Sequence, residues 1–247
     1  MRADPFVQLR LLDVQQLDIE IDQNRHRASE LPAIVTANEL AARQAALRDH
    51  TVAAATRASD LSRELRKAES DVEQVRARAE RDSTLLASGS VTSPKQLADL
   101  EHEVASLAKR QSDLEDAELE VMEAVEVAEA EHAQLVEQSE RVAGELAEAV
   151  AARDAALAEL DADLTDLQAR RAEAVAGIPA ELLALYVKIR DDRGGIAAAL
   201  VKQARCEACR LQLPPGDLDE IAAAAPDEVV RCPECRSILI RTDESGL

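Results

Sequence analysis

Aromatic side chains are almost missing from this chain. Phe6 and Tyr186 are the only two in 247 residues, and tryptophan is absent. A large globular core draws on such bulky groups, so the apolar surface must be spread along narrow seams instead. No stretch approaches 18 consecutive apolar residues, so no membrane span is expected. Residues 1–10 lack the apolar core of a signal peptide. Catalytic signatures are missing too: there is no P-loop, no G-x-S-x-G and no H-E-x-x-H. His26, His50, His102 and His132 are dispersed along expected helices rather than gathered at ligand spacing, and acidic runs such as 115–131 read as solvated helix faces. An enzyme is the least supported class. Positive charge is scarce: Lys+Arg number 29 against 49 Asp+Glu, a net charge of −20. Residues 1–180 hold 20 Lys+Arg against 37 Asp+Glu, so the bulk of the chain would repel a phosphate backbone. Arginine outnumbers lysine 24 to 5, which fits a high-G+C bacterial genome.

What is present is helix. Hydrophobic residues make up 47% and charged residues 32%, with alanine supplying roughly two-fifths of the former, the composition of long helices and coiled coils. Asp4 followed by Pro5 reads as an N-cap with proline at the first helical position, and Leu9, Leu12, Leu17 and Ile21 continue an apolar stripe. Pro32 should stop that helix. Thr36 with Glu39 has the form of a capping box opening a second helix, and Ser93, Pro94 and Gln96 form another that opens a third. Between them the turn is expected at residues 87–93, around Gly89. Gly177 and Pro179 should end the third helix.

The period of the pattern predicts a hairpin. Leu47, Ala54, Ala58, Leu61, Leu65, Ala68, Val72, Val75 and Ala79 follow steps of three and four apart from a gap at Thr51. Leu97, Leu100, Val104, Leu107, Leu114, Val121, Val125 and Ala128 do the same, with Gln111 and Glu118 as polar interruptions. Two heptad stripes joined by a short loop imply an antiparallel coiled-coil hairpin. Facing residues should then have numbers of constant sum. Val75 with Val104, Leu65 with Leu114 and Ala54 with Val125 share the sum 179, which centres the bend on Gly89 and Ser90. That pairing sets Glu118 opposite Leu61 and His132 opposite Leu47. The third helix is long enough to continue beside the first, and the spacing of Val142, Leu146 and Val150 predicts a stutter near Gly144.

Four cysteines dominate the C-terminal part. Cys206 and Cys209 form one C-x-x-C and Cys232 and Cys235 another, with 22 residues between Cys209 and Cys232. Each pair supplies half of a tetrahedron around a divalent ion, and four thiolates leave no open coordination position, so the expectation is one structural Zn2+. Two disulfides or a redox C-x-x-C are the competing readings. The signal-free N-terminal segment and the lack of a strand-helix-strand pattern before Cys206 weigh against both, and a reducing cytoplasm fits best. Residues 179–193 read as a fourth helix with Leu182, Leu183, Tyr186 and Ile189 on one face, ended by Gly194 and Gly195. Tyr186 is expected to pack this helix against its neighbours. Strands are expected at 196–202, 229–230 and 238–240, with a turn at Pro214, Pro215 and Gly216 and an Asp217 cap on a short helix. The fold class is therefore mainly α: an antiparallel coiled-coil hairpin over 1–178, broken near Pro32, then a connecting helix and small β zinc-ribbon module over 179–247.

Lys188, Arg190, Arg193, Lys202, Arg205 and Arg210 gather near the ribbon, a basic face able to meet RNA or DNA as readily as it could remain a solvated surface. The ordered combination of an acidic helical hairpin, L-x-x-Y-x-x-I-R at 183–190, Gly-Gly, C-x-x-C and C-P-x-C followed by Ile238 and Leu239 resembles the bacterial C4-type zinc-ribbon coiled-coil family. That resemblance implies a non-enzymatic role, a coiled coil that presents protein partners and a ribbon that contacts nucleic acid or protein; relatives are linked to transcription, flagellar or secretion machinery. Arg210 and Arg236 depart from it, standing where such a ribbon often has glycine. Two functions compete: an adaptor binding protein partners through the hairpin, with self-association open to the same exposed stripes, and a nucleic-acid-binding regulator acting through the ribbon.

Overall fold

The computed structural model describes all residues, 1–247. Five helices and four short strands follow in the order α1 (Pro5–Ser29), α2 (Pro32–Ala87), α3 (Pro94–Val175), α4 (Ala180–Arg193), β1 (Ala198–Lys202), β2 (Arg205–Cys206), α5 (Pro215–Ala223), β3 (Val230–Arg231) and β4 (Ile238–Ile240). Local signals set most of these boundaries. The Asp4 carboxylate accepts the Phe6 backbone N–H at 2.8 Å, with Pro5 at the first helical position. Proline has no N–H to leave unsatisfied there, and Pro32, Pro94 and Pro215 open their helices in the same way. Gly89, Gly177 and Gly194 end α2, α3 and α4 in the left-handed region, with φ of 66°, 86° and 68°.

Two boundaries differ from expectation. Thr36 does not open the second helix; it lies inside α2, because Pro32 breaks the chain and also supplies a ready first turn. Asp217 is not a cap either. Pro215 starts α5, the N-cap position is Pro214, and Asp217 falls in the first turn, where its charge favours the positive end of the helix.

Residues 35–150 form one compact unit, the two arms of α2 and α3. Ala54 and Ala58 of α2 and Leu107, Val125 and Ala128 of α3 are buried, and the intervening seam positions are half-buried, including Thr51, Gln111, Glu118 and His132. The polar residues therefore stay on the seam and interrupt only its composition. α3 runs unbroken through Gly144. A sum of 179 would set Glu101 opposite Arg78 and Met122 opposite Arg57. The observed ion pairs are Arg78 with Glu103 at 2.7 Å and Arg57 with Glu131 at 3.4 Å. The first agrees to within two positions. The second lies nine positions away, on the order of 13 Å along the axis, too far for that register. A shift of one heptad brings Glu131 within two positions of the residue facing Arg57 while still matching seam to seam.

The second compact unit gathers residues 1–34 and 151–247. Here α1 lies antiparallel to the end of α3: Leu17 and Ile21 pack on Leu167, and the Asn24 side chain donates to the Leu160 carbonyl at 3.1 Å. The buried stripe of α1 is Leu11, Val14, Leu17 and Ile21 with Gln8, Gln15, Asp18 and Asn24. Leu9 instead remains exposed and Leu12 only half-buried, because leucines at 9, 11 and 12 offer two faces and contact with α4 and the sheet selects one. The strand order is β2-β1-β4-β3, with β1 parallel to β4 and both hairpins antiparallel. Tyr186 is fully buried with Leu11, Val14, Leu182, Ile189, Ile238 and Ile240, joining α1 and α4 to the sheet.

Candidate metal centre

Each C-x-x-C sits at the tip of a tight turn, and the two turns repeat one geometry. Cys206 N–H donates to the Leu211 carbonyl at 3.0 Å, as Cys232 N–H does to Ser237 at 2.9 Å. Arg210 N–H donates back to the Cys206 carbonyl at 2.7 Å, and Arg236 N–H to Cys232 at 2.9 Å. Closing the turn this way requires a left-handed residue, and Arg210 and Arg236 have φ of 59° and 66°. The glycine-like conformation is thus kept with arginine in place, at a cost of about 1 kcal/mol each.

The parallel pairing of β1 with β4 brings the two turns together. Sγ of Cys206 lies 3.8 Å from that of Cys235, Sγ of Cys209 lies 4.0 Å from that of Cys232, and all four fall within 4.8 Å of one another. A tetrahedron with Zn–S bonds of about 2.3 Å has edges of about 3.8 Å, so the set fits zinc. A disulfide needs sulfurs about 2.05 Å apart, and all four cysteines are free. The site is a closed C4 centre suited to one structural zinc, which Cys206, Cys209, Cys232 and Cys235 would hold.

Electrostatics favour a cation between the sulfurs. Taken as thiols alone, Cys206 and Cys232 are pushed up, chiefly by burial, even though the backbone N–H groups of Ala208 and Cys209 point at the first and those of Glu234 and Cys235 at the second. Burial opposes ionisation of Cys235 as well. Hydrogen bonds from the Ser237 hydroxyl and backbone and from the Cys232 and Cys206 thiols outweigh it, bringing Cys235 down to about 7. Four thiolates this close repel one another, so a divalent ion between them is what lets all four carry charge.

Residues 14–194 match the CT398-like coiled coil hairpin domain, and residues 205–239 match the C4-type zinc ribbon domain. The chain belongs to this family. It is 40% identical over 243 residues to the Mycobacterium tuberculosis protein Rv2229c, with 98% of each chain covered. A solved structure from Mycobacterium smegmatis is similar with a TM-score of 0.84 at 37% identity, over 98% of this chain and all of that one. CT398 of Chlamydia trachomatis shares the fold, with a TM-score of 0.72 at 15% identity over 96% and 98% of the two chains. No helix of this CT398-like chain is long and apolar enough to cross a membrane.

The six basic residues are not equivalent in this CT398-like fold. Arg205 and Arg210 are exposed beside the first knuckle with no acidic partner, and Arg193 is exposed and donates to the Glu234 carbonyl at 3.4 Å. Lys188 projects from α4 into solvent. Lys202 meets Glu244 at 3.0 Å. Arg190 turns inward, to Asp22 at 2.5 Å and Asp18 at 3.5 Å. Sequence reasoning missed the polar anchors beneath the ribbon. Gln15 Oε1 accepts the N–H groups of Ala197 and Ala198 at 2.7 and 3.2 Å, and its amide donates to Gly195. Arg241 donates to the carbonyls of Ala224, Ala225 and Glu228 at 2.7, 2.7 and 2.9 Å, closing the end of α5. The available signal for Gln15 and Asp18 was their place at three- and four-residue steps from Leu11, Val14 and Ile21.

Proposed function

We propose that the chain is a non-enzymatic cytoplasmic adaptor: the hairpin presents surfaces to protein partners, and the zinc ribbon is a second, metal-fixed docking surface. Apolar side chains outside the seam carry this reading. Val52, Leu119 and Val127 are 66%, 56% and 63% exposed. They lie in a stretch, 35–150, that holds 13 Lys+Arg against 25 Asp+Glu. Exposed apolar points in an acidic field suit a protein partner and repel nucleic acid. Affinity capture from native extract, with and without nuclease, tests the idea against a Leu119→Glu, Val127→Glu variant. A protein partner that survives nuclease and is lost with the variant is expected. If every retained partner vanished on nuclease treatment, the reading would be abandoned.

A second reading has its own support, the unpaired and exposed Arg205 and Arg210. A ribbon that binds RNA or DNA should retain a labelled oligonucleotide at low salt, with weaker binding after Arg205→Ala and Arg210→Ala. Absence of binding at low salt rules it out.

A further inference from the structure

Three arginines from three helices line one cavity in the unit that carries the ribbon. Arg25 of α1, Arg171 of α3 and Arg190 of α4 line a space of about 410 Å3 together with Asp18, Ile21 and Gln168. Its charge does not balance. Arg171 Nε and Arg190 Nε turn to the same Asp18 carboxylate, at 2.5 and 3.5 Å, and Arg190 Nη2 meets Asp22 at 2.5 Å. Arg25 is exposed and makes neither an ion pair nor a side-chain hydrogen bond. Asp18, Asp22 and the three arginines together keep one positive charge, in a chain whose net charge is −20.

Hydrogen bonding is unfilled as well. Arg190 Nε is buried and has no hydrogen-bond partner, since 3.5 Å from Asp18 is an ion-pair distance rather than a bond. Arg171 spends Nε and one Nη2 proton on Asp18, which leaves its Nη1 donors open. The cluster is also held in place before anything binds: Asp18 is 2% exposed, and the Tyr186 hydroxyl donates to it at 2.8 Å.

The geometry points to a binding site for a phosphate-type oxyanion in this cavity. Its oxygens accept from the free donors of Arg171 and from Arg25, the buried Arg190 guanidinium adds positive charge behind them, and Ile21 and Ala172 form an apolar wall. Guanidinium is the group best matched to such an anion, through its planar fork of donors. The space exceeds what a bare anion fills, so inorganic phosphate and the phosphate of a small ester share the chemistry.

Calorimetric titration of the full-length, zinc-loaded chain decides the matter, with inorganic phosphate and glycerol phosphate as separate probes and chloride at matched ionic strength as control. Saturable one-site binding of either probe is expected, weakened at least tenfold by Arg25→Gln. Arg25 is exposed, so that variant should keep its far-UV spectrum and zinc content. Tighter binding of phosphate identifies the free anion, and tighter binding of the ester a phosphorylated small molecule. No saturable heat from either probe up to about 10 mM overturns the inference. So does binding that Arg25→Gln leaves unchanged or that matched chloride abolishes.

Discussion

Replacing Asp18 by asparagine should destabilise the ribbon-bearing unit by about 3 kcal/mol. The Asp18 side chain is 3% exposed and accepts from Arg171 Nε at 2.5 Å and from the Tyr186 hydroxyl at 2.8 Å. Removing one partner of a buried ion pair costs about 3–5 kcal/mol, because the surviving charge stays desolvated. Arg171 and Arg190 keep 29% and 20% side-chain exposure, so water relieves part of that and the lower end applies. Asparagine retains a carbonyl oxygen for Tyr186, which preserves about 1 kcal/mol of hydrogen bonding but offers nothing to two adjacent guanidiniums. The assay is already built in. Tyr186 is the sole tyrosine in a chain without tryptophan, so its fluorescence during urea unfolding of zinc-loaded protein reports on this core alone. The midpoint should fall with little change in slope. A loss below about 1 kcal/mol would mean that the cluster behaves as a solvent-screened surface contact, and the argument from its burial would be wrong.

Other consequences are equally open to measurement. Burial, followed by the hydrogen bond to Asp18, pushes the Tyr186 hydroxyl well above its usual 10, so its contribution to stability is whole below about pH 10 and is lost as pH rises toward the folded value. Tyrosinate absorbance should therefore stay low at about pH 11, and ionisation near 10 with an intact far-UV spectrum would refute this. The chain should bind one zinc, and Cys232→Ser should weaken it by about a hundredfold in chelator competition, since each of four ligands carries roughly a quarter of about 12 kcal/mol; unchanged affinity would remove Cys232 from the ligand set. Arg236→Gly should stabilise the second knuckle by about 0.5–1 kcal/mol by relieving its left-handed backbone, seen as slower zinc release; faster release would show that the arginine side chain matters more than the strain.

Local chemistry was the readable part of this sequence. Proline at the first turn and glycine past the last act within a few residues, and Asp4, Pro94, Gly177 and Gly194 behave as their types require. The cysteine spacing was readable for a related reason, since two short turns and one ion leave little geometric freedom. The hairpin was visible but its register was not. A heptad repeat slipped by seven residues matches itself, so apolar periodicity could not separate the pairing near Arg78 from that at Arg57. The interior of the ribbon-bearing unit was hidden for a different reason. Gln15, Asp18 and Asn24 look like surface residues and are buried because groups more than a hundred positions away complete their hydrogen bonds. Arg190 belongs to the same class: by composition it joined a basic face, while in the fold it answers Asp18 and Asp22.

The place of α1 bears on how the polypeptide is made. Its buried stripe meets Leu167, Arg171, Tyr186 and Ala197, all at least 140 positions downstream, and the Met1 carbonyl accepts from Val229 N–H at 3.0 Å. At a translation rate of about 5–20 residues per second, this helix leaves the ribosome on the order of ten to forty seconds before its partners exist. Leu11, Val14 and Ile21 stay uncovered throughout that interval, so the nascent chain passes through a stage in which α1 is sticky and waits for the residues that will cover it.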